Sequence, residues 1–386
     1  MQTPQERSIM KICYLADARA EHTRRWTRYF ALKGHCVDLI TWNQNILDGY
    51  EPVHLHVVNK SKVLCGILSR ISNLPSILIE VKKIIRQTRP DLIHAHSSEA
   101  YAWLAMLTGF HPYVVTPWGT DILIDIKKSR WNRLVSTMAL RHADLITCDA
   151  YHLKDELIRL GVGESKIRLV MFGTDIARFS PKKGEHTELR NQYELGHSQI
   201  VISTRTLTPV HDVETLVRSI PIIKQAVPRV TFVIIGDGSE RRSLEALVNS
   251  IGVRDAVRFI GYLGESEMAR WLCVADVYVS TSLYDAGLSA STAEAMACGI
   301  PVVITDNGDN GRWVSEGNGG FLIPNGASEV LADRIALLLK DNEMRKRFGH
   351  FNRQVIQEHN NYAMEMDRME TIYQELSCCG CLRSHS

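Results

Sequence analysis

No apolar run in this 386-residue sequence approaches the roughly 20 residues that a helix needs to span a bilayer. The apolar stretch from Ile9 to Ala16 is interrupted by Lys11 and lacks the layout of a signal peptide. The pattern therefore predicts neither a membrane-spanning helix nor a secretion signal. We expect a cytoplasmic protein, with a peripheral position at the inner face of the membrane as a further option.

Three kinds of catalytic motif are also missing. The sequence has no pair of zinc ligands at finger spacing, no Walker lysine loop and no Gly-x-Ser-x-Gly elbow around a nucleophilic serine. Metal-dependent and covalent mechanisms are therefore not indicated. We predict neither a metal site nor a bound cofactor.

The cysteines show no disulfide framework. Six of them are scattered in apolar surroundings, which suits reduced thiols in a protein core: Cys13, Cys36, Cys65, Cys148, Cys273 and Cys298. The other three, Cys378, Cys379 and Cys381, crowd a polar end of the chain. Acylation, or metal capture together with His385, would give them a role, but a frayed tail is the expectation for this segment.

Net charge is small, at +2 with neutral histidines, but it is unevenly distributed. The first 185 residues hold 26 Lys and Arg against 18 Asp and Glu, and the remainder hold 19 against 25. The basic clusters of the first part are Arg24, Arg25, Arg28 and Lys33; Lys82, Lys83 and Arg86; and Lys127, Lys128, Arg130 and Arg133. They suit an anionic membrane or a phosphate-bearing acceptor, and solvated basic helix faces explain them equally well. We expect no nucleic acid partner.

Short apolar runs alternate with longer helical patterns along the chain, which is typical of parallel sheets with crossover helices. The predicted strands are Lys11–Leu15, Cys36–Thr41, Leu92–His96, Tyr113–Thr116, Leu145–Cys148, Ile200–Thr204, Thr231–Ile235, Val257–Ile260, Val277–Thr281 and Pro301–Thr305. This order predicts an α/β protein with two Rossmann-like, doubly wound domains facing across a cleft. Ligands are expected beyond the carboxyl ends of the strands.

The polar segment from Phe179 to Thr187 is broken by Pro and Gly and predicts the connection between the domains. We place the domains at residues 1–183 and 184–350, with terminal helices over 351–376 and the cysteine-containing tail over 377–386.

The segment from Ser282 to Ile304 carries the clearest functional signal. A loop with one glycine runs into a helix, and Glu294 is expected in the first turn of that helix. Helix N-termini have unpaired N–H groups and a positive dipole end, so they hold diphosphates without a metal. Ser291 and Glu294 also have capping-box spacing, a purely structural explanation that is compatible with a binding role.

The stretch Glu294-Ala-Met-Ala-Cys-Gly-Ile-Pro-Val302 resembles the donor signature of the retaining glycosyltransferases of family four. That signature has an acid eight positions before the glutamate, where this chain has Ala286, and the nearest carboxylate is Asp285. Further matches run through both domains, for example Val233 to Glu240 in the second and, more loosely, Val115 to Gly119 in the first. The resemblance implies the GT-B architecture, with the terminal helix returning to the first domain and a nucleotide sugar as co-substrate.

The resemblance also implies roles for individual residues. Glu294 would bind the donor ribose, Arg205 the diphosphate and Asp285 the sugar ring, and His211 stands where the family has a phosphate-binding lysine. The remaining implied donor residues are Gly287, Leu288, Ser289, Ser291, Gly236, Gly261 and Tyr262. Simple packing is an equally good explanation for Tyr262.

In the first domain, Trp118-Gly119-Thr120-Asp121 replaces the His-Gly pair of the family. Because an indole accepts no hydrogen bond, Asp121 is the expected catalytic contact there. His96, Trp118 and Gly119 are expected on the acceptor side, with a core position as the alternative for His96.

Together these features predict a retaining transfer from a nucleotide diphosphate sugar, with a UDP-sugar favoured and GDP-mannose as the other option. The acceptor would be a hydroxyl of a glycan or of a lipid-linked molecule. Two alternatives stay open: a nucleotide-sugar epimerase, and a non-catalytic subunit that binds sugar nucleotides. The second is motivated by Ala286, His211 and Trp118, which stand where functional residues are expected.

Overall fold

The computed structural model describes residues 9–42, 48–58, 74–181 and 186–383. These residues form two compact units. The first unit contains the residues up to Val170 together with those from Met366 onward, and the second is Met171–Glu365. Each unit contains one parallel sheet, which confirms the predicted α/β class with two doubly wound sheets.

The first sheet has the strand order β3-β2-β1-β4-β5-β6-β7. Its strands are β1 Lys11–Leu15, β2 Cys36–Thr41, β3 His54–Val57, β4 Leu92–His96, β5 Tyr113–Thr116, β6 Leu145–Cys148 and β7 Ile167–Leu169. The central strands β1, β4, β5 and β6 are buried on both faces, as apolar runs between crossover helices require.

The helices of the first unit are α1 Glu21–Leu32, α2 Leu74–Thr88, α3 Ala100–Thr108, α4 Arg130–His142 and α5 Tyr151–Arg159. In α1 the buried side chains Thr23, Trp26, Thr27, Phe30 and Ala31 repeat at helical spacing, so one face lies on the sheet. A π-helical turn over Asp121–Asp125 and a short helical turn over Ile126–Lys128 precede α4.

The second sheet has the strand order β10-β9-β8-β11-β12-β13. Its strands are β8 Gln199–Ser203, β9 Val230–Ile235, β10 Val257–Gly261, β11 Val277–Ser280, β12 Val302–Thr305 and β13 Gly320–Ile323. The helices are α6 His186–Gln192, α7 Val213–Ala226, α8 Arg241–Ser250, α9 Glu265–Val274, α10 Ala290–Ala297, α11 Asn310–Trp313, α12 Ser328–Lys340 and α13 Asn342–His359. Apolar clusters cover both faces of this sheet.

The last helix, α14 Tyr362–Arg383, packs into the first unit through Met366, Met369 and Tyr373. The Tyr373 hydroxyl lies 2.9 Å from the Tyr14 hydroxyl and contacts His94 Nδ1. A continuous polar contact therefore fixes the helix to strands β1 and β4. None of the helices in the described ranges has the length and apolar character needed to cross a membrane.

Three short strands, β3, β7 and β13, go beyond those predicted. They have polar or glycine residues where a strand pattern needs apolar ones, because they are outer strands of their sheets. The other ten strands are found within one residue of their predicted bounds. The predicted domain limits stay predictions, and the compact units divide elsewhere, at Val170 and at Glu365.

Two expectations about cysteine need correction. Cys36 is exposed at the start of β2, although Cys13, Cys148 and Cys298 are buried as expected. The backbone of α14 stays helical to Arg383, through the segment predicted to fray. Cys65 and His385 lie outside the described residues, as do residues 182–185 of the predicted connection.

Candidate functional site

The loops after β8 and β11 bring three predicted site residues together at the carboxyl edge of the second sheet. The two strands are parallel neighbours, so the loops that follow them lie side by side. Arg205 Nη2 donates to Asp285 Oδ1 over 2.7 Å, and Arg205 Nη1 donates to Ser291 Oγ over 3.0 Å. The Arg205 and Asp285 side chains are each 10% exposed. This ion pair is the centre of the candidate site.

His211 joins the cluster as a neutral group. Its Nδ1 lies 3.1 Å from Arg205 Nη2 and 3.1 Å from Ser282 Oγ. Burial, and secondarily the charge of Arg205, lower the pKa of His211 to about 4. Because a guanidinium only donates hydrogen bonds, Nδ1 accepts from Arg205. The position expected to hold a phosphate-binding lysine therefore carries no charge at neutral pH.

The cap of helix α10 differs from the predicted one. Ser289 has an extended backbone and its Oγ accepts from the Thr292 N–H over 3.4 Å, so Ser289 is the N-cap. The predicted capping box of Ser291 with Glu294 is wrong, because Ser291 is already inside the helix and its Oγ accepts from the Tyr278 hydroxyl over 3.0 Å. Glu294 lies in the second turn, not the first, and is half-buried.

The loop before α10 presents backbone donors. Among the described residues, the N–H groups of Gly287, Leu288 and Ser289 have no hydrogen-bond acceptor. The Leu288 side chain packs against the core of the unit and anchors this loop. The helix dipole adds positive potential at the same place, so the loop and α10 form an anion-binding element beside Arg205.

Hydrogen bonds from the segment after β12 fix the Asp285 loop. Asn307 Oδ1 accepts from the Asp285 N–H over 2.9 Å, and Asn307 Nδ2 donates to the Ser282 carbonyl over 2.7 Å. Gly308 has φ +51°, and a Cβ there would lie 1.9 Å from the Asp285 carbonyl oxygen. Asn307 was not among the predicted site residues, and its one sequence signal is its position just after a predicted strand.

Gly236 lies against the backbone of Arg205. It has φ +132°, and a Cβ there would lie 2.5 Å from the Arg205 carbonyl oxygen. Its N–H donates to the Gly261 carbonyl over 2.8 Å. Glycine at 236 therefore lets the Arg205 loop approach strand β9 closely. Tyr262, next to Gly261, is 85% exposed, so packing does not explain that tyrosine.

Burial raises the pKa of Asp285, while the charge and hydrogen bonds of Arg205 act in the opposite direction. An anion that drew Arg205 away would therefore leave a carboxyl group that protonates more readily. The ion pair is thus sensitive to what binds next to it.

In the first unit, His96 ends β4 inside an aromatic cluster. Its side chain is buried, and its ring centroid lies 5.3 Å from those of both Trp26 and Trp118, with edge-to-face geometry. Nδ1 lies 3.5 Å from Thr23 Oγ1, and within the described ranges Nε2 has no hydrogen-bond partner. Burial lowers the pKa of His96 well below its ordinary value. A neutral, buried imidazole is what we expect if His96 occupies a core position, the alternative to an acceptor role.

His22 belongs to the same cluster and was not predicted. Its ring centroid lies 4.2 Å from that of Trp118, and burial lowers its pKa to about 4. His22 and Trp26 are four residues apart on α1, a spacing that places both on one helix face. That spacing is the sequence signal that would have found His22.

Asp121 has a different surrounding from the one expected of a catalytic acid. It is 6% exposed, and its Oδ2 accepts from the Ser98 N–H over 2.7 Å and its Oδ1 from the Trp118 N–H over 3.1 Å. The carboxylate thus connects the loops that follow β4 and β5. Gly119 is buried beside it with φ +98°. The catalytic role of Asp121 stays a prediction, and this geometry fits a positioning residue.

Metal ligation has no candidate cluster here. Among the described residues, no three His, Cys, Asp or Glu side chains form a group that could hold a metal ion. Arg205 and Asp285 are the ion pair at the centre of the candidate site in the second unit.

Two family models match the chain, one in each half. The model described as Glycosyl transferases group 1 matches residues 185–355, and the model described as Glycosyl transferase 4-like matches residues 11–150. The first match contains the Arg205 and Asp285 cluster and helix α10, and the second contains the His96 cluster.

Curated relatives come from several bacteria. A GDP-mannose-dependent alpha-(1-6)-phosphatidylinositol monomannoside mannosyltransferase of Mycobacterium tuberculosis is 29% identical over 188 residues, which are 47% of this chain and 49% of that protein. An N-acetyl-alpha-D-glucosaminyl L-malate synthase of Bacillus anthracis is 25% identical over 303 residues, covering 77% of this chain and 78% of that protein. The chain thus spans about half the length of the mannosyltransferase that it matches.

The fold has close counterparts among solved structures. The crystal structure of Anabaena HepE in complex with UDP superposes with a TM-score of 0.80 at 19% identity, covering 95% of this chain and all of that one. This likeness shows a shared fold. Both halves of the chain thus match glycosyltransferase family models, and the half that contains the Arg205 cluster matches the glycosyl transferases of group 1.

Proposed function

We propose that this protein is a retaining glycosyltransferase that moves a sugar from a nucleotide diphosphate sugar to a hydroxyl of a glycan or lipid-linked acceptor. The observation that carries the proposal is the position of Arg205 beside the N–H groups of Gly287, Leu288 and Ser289, for which the described part of the chain offers no acceptor. Fixed donors and a helix N-terminus suit a diphosphate that gains charge as its bond to the sugar breaks.

In this proposal the donor lies along the carboxyl edge of the second sheet. Arg205 and the amides at the start of α10 hold the diphosphate, and Glu294, one turn further along the helix, binds the ribose hydroxyls. Gly236 and Gly261 form the floor below the nucleotide, and the exposed Tyr262 lies at its rim. The support for this arrangement is the convergence of these groups within one unit.

The proposed reaction needs no nucleophile from the protein. The bond between the sugar carbon and the phosphate oxygen breaks, and the acceptor oxygen bonds to the same face of that carbon. The departing phosphate oxygen takes the acceptor proton. Arg205 stabilises the charge on that phosphate, so the protein contributes orientation and electrostatic stabilisation.

The Arg205–Asp285 ion pair gives the proposal a specific switch. A diphosphate competes with Asp285 for the guanidinium, since both are anions that accept from the same N–H groups. Donor binding then releases Asp285 from Arg205, and the carboxyl group becomes available to the sugar hydroxyls. This gives a role for Asp285 although it stands one position before the family acid.

The donor is proposed to be a UDP-sugar, with GDP-mannose as the other option. The Anabaena structure with UDP supports the first, and the mycobacterial relative named as GDP-mannose-dependent supports the second. The acceptor contacts are proposed to come from Trp118 and the Gly119 backbone of the first unit, whereas the buried His96 fits the core position. A peripheral membrane contact would suit a lipid-linked acceptor, and so would a cytoplasmic location.

The test measures melting temperature and nucleotide release with UDP-sugars and GDP-sugars, for the wild type, Glu294→Gln and Glu329→Gln. Because Ser289 caps α10, Glu294→Gln leaves the cap intact and removes only the carboxylate. Glu329 is an exposed acid in the first turn of another helix and serves as the matched control.

We expect one nucleotide class to stabilise the wild type and Glu329→Gln, with slow release of the free nucleotide, and both effects to weaken in Glu294→Gln. Stabilisation without release, even with acceptors added, favours the non-catalytic binding subunit. If no nucleotide sugar changes the melting temperature of the wild type, the donor site is refuted.

A further inference from the structure

Helix α4 has an apolar stripe on its outer surface. Trp131 is 60% exposed, Leu134 is 54% exposed and Met138 is 44% exposed. Their spacing of three and four residues aligns them along one side of the helix. Ser136, Ala139 and Leu140 are buried on the opposite side, so the exposed stripe is not part of the core.

Exposed basic residues lie close to this stripe in the sequence. Between residues 124 and 142 the chain has five Lys and Arg and a single acid, Asp125. Lys127, Arg130 and Arg133 are exposed, and no hydrogen bond or ion pair to the described residues is recorded for their side chains. Asp125 pairs with Lys128 over 2.6 Å. Most of the local positive charge is therefore directed to solvent.

The first basic cluster of the sequence does not offer a comparable surface. Arg24 pairs with Glu21 over 2.6 Å, and Lys33 contacts Glu370 over 3.1 Å. Their charge is thus partly used within the protein. On α2, which carries the second cluster, Ile79 is the large apolar residue with high exposure among the described side chains. Helix α4 is where exposed positive charge and an apolar stripe coincide.

We propose that the exposed Trp131, Leu134 and Met138 of α4, together with the nearby Lys127, Arg130 and Arg133, dock the protein onto an anionic lipid bilayer. An apolar stripe with flanking Lys and Arg is the pattern of helices that lie in the membrane interface. The charges attract anionic head groups, and the indole and aliphatic side chains enter the boundary of the acyl region. This inference does not depend on the donor site.

The positive charge near α4 complements the anionic head groups of a bilayer and favours a lipid surface as its partner. Helix α4 contains no acidic residue, and its exposed arginines accompany an exposed apolar stripe, which matches the anionic head groups and acyl boundary of a bilayer. Lipid head groups adapt to such a surface. The proposal also gives a place to the membrane contact expected from the basic first half of the chain.

The test is flotation of the purified protein with vesicles of phosphatidylcholine alone and of phosphatidylcholine mixed in equal parts with phosphatidylglycerol. The variants are Trp131→Ser with Leu134→Ser, and Arg130→Glu with Arg133→Glu. The matched controls lie on the second unit: Val330→Ser with Leu337→Ser, which are 39% and 41% exposed on α12, and the exposed Arg242→Glu. All changed side chains are exposed or outside the core, so folding is retained.

We expect the wild type to float with the anionic vesicles and to stay unbound with the neutral ones. Each α4 pair should weaken partitioning by roughly tenfold or more. The serine pair removes the apolar surface that would enter the bilayer, and the glutamate pair replaces attraction to anionic head groups by repulsion. The α12 and Arg242 controls should bind like the wild type. Equal binding to both vesicle types, or α4 variants that bind like the wild type, would overturn the proposal.

A second measurement reports insertion directly. All seven tryptophans lie in the described ranges, and Trp131 is the one with an exposed side chain. Brominated acyl chains should therefore quench the protein fluorescence on binding, and Trp131→Phe should abolish most of this quenching. Undiminished quenching in that variant contradicts docking through α4.

Discussion

Arg205 and Asp285 form an ion pair, with 2.7 Å between Nη2 and Oδ1, across two loops that the sequence separates by 80 residues. Each side chain is 10% exposed. Removing one partner of such a pair leaves an uncompensated charge, which costs more than the pair itself contributes. The pair therefore couples the stability of the second unit to the charge of whatever binds there.

Asp285→Asn tests this coupling. Loss of the carboxylate should lower the free energy of unfolding without ligand by roughly 3 kcal/mol, because Arg205 stays buried without its counterion. UDP should restore more stability to the variant than to the wild type, since the diphosphate then binds an uncompensated guanidinium. The measurement is urea unfolding with and without UDP. An equal gain from UDP in both proteins contradicts competition between Asp285 and the diphosphate.

His211→Lys tests the missing second cation. The wild-type imidazole is neutral because burial and Arg205 lower its pKa to about 4. A lysine should increase UDP affinity by about tenfold, through an additional charge on the diphosphate, and should lower stability without ligand, through repulsion from Arg205. Calorimetric titration gives the affinity. His211→Gln, which is neutral as well, is the control and should bind UDP like the wild type.

Alanine substitutions at Ser289 and Ser291 should affect protein stability and UDP binding differently. Ser289→Ala removes the N-cap of α10 and should cost about 1 kcal/mol of unfolding free energy. Ser291→Ala leaves the cap but removes a hydrogen bond to Arg205, so it should weaken UDP binding with a smaller effect on stability. Chemical unfolding and UDP titration of both variants check this. The reverse pattern would restore the capping box predicted from the sequence.

Buried neutral histidines predict that acid destabilises the first unit. Burial lowers the pKa of His94 from 6.5 to about 3, so between these pH values the unfolded chain binds a proton that the folded protein does not. The stability contributed by the neutral His94 is therefore fully present above pH 6.5. Below that pH the free energy of unfolding falls by roughly 1.4 kcal/mol per pH unit for one such group. Urea unfolding at about pH 6 and about pH 5 gives the change of the free energy of unfolding with pH. This change should be smaller by the same amount in His94→Gln. An unchanged slope contradicts a neutral His94.

The strands of both sheets show how far local patterns reach. Central strands such as β4 and β9 are continuous apolar runs, because helices cover both of their faces, and their bounds are readable from the sequence. Outer strands such as β3 and β7 carry His or Arg, since one edge meets no further strand, and these were missed. Apolar patterns predict strands that are buried, and the outer strands of a sheet are the least buried.

The same limit applies to the site. The sequence alone determined the two doubly wound sheets, the family resemblance and the candidate role of Arg205, Asp285 and α10, because these depend on strand periodicity and on a local loop-to-helix motif. Tertiary structure decided that Arg205 bonds Asp285 and Ser291, that Ser289 caps the helix, that His211 is neutral and that Asp121 holds two loops. The Ser289 cap is a local contact that the backbone conformation at the start of α10 decided. The Arg205 contacts, the neutral His211 and the bond of Asp121 to Ser98 depend on distances and burial between segments far apart in the chain, which sequence spacing does not record.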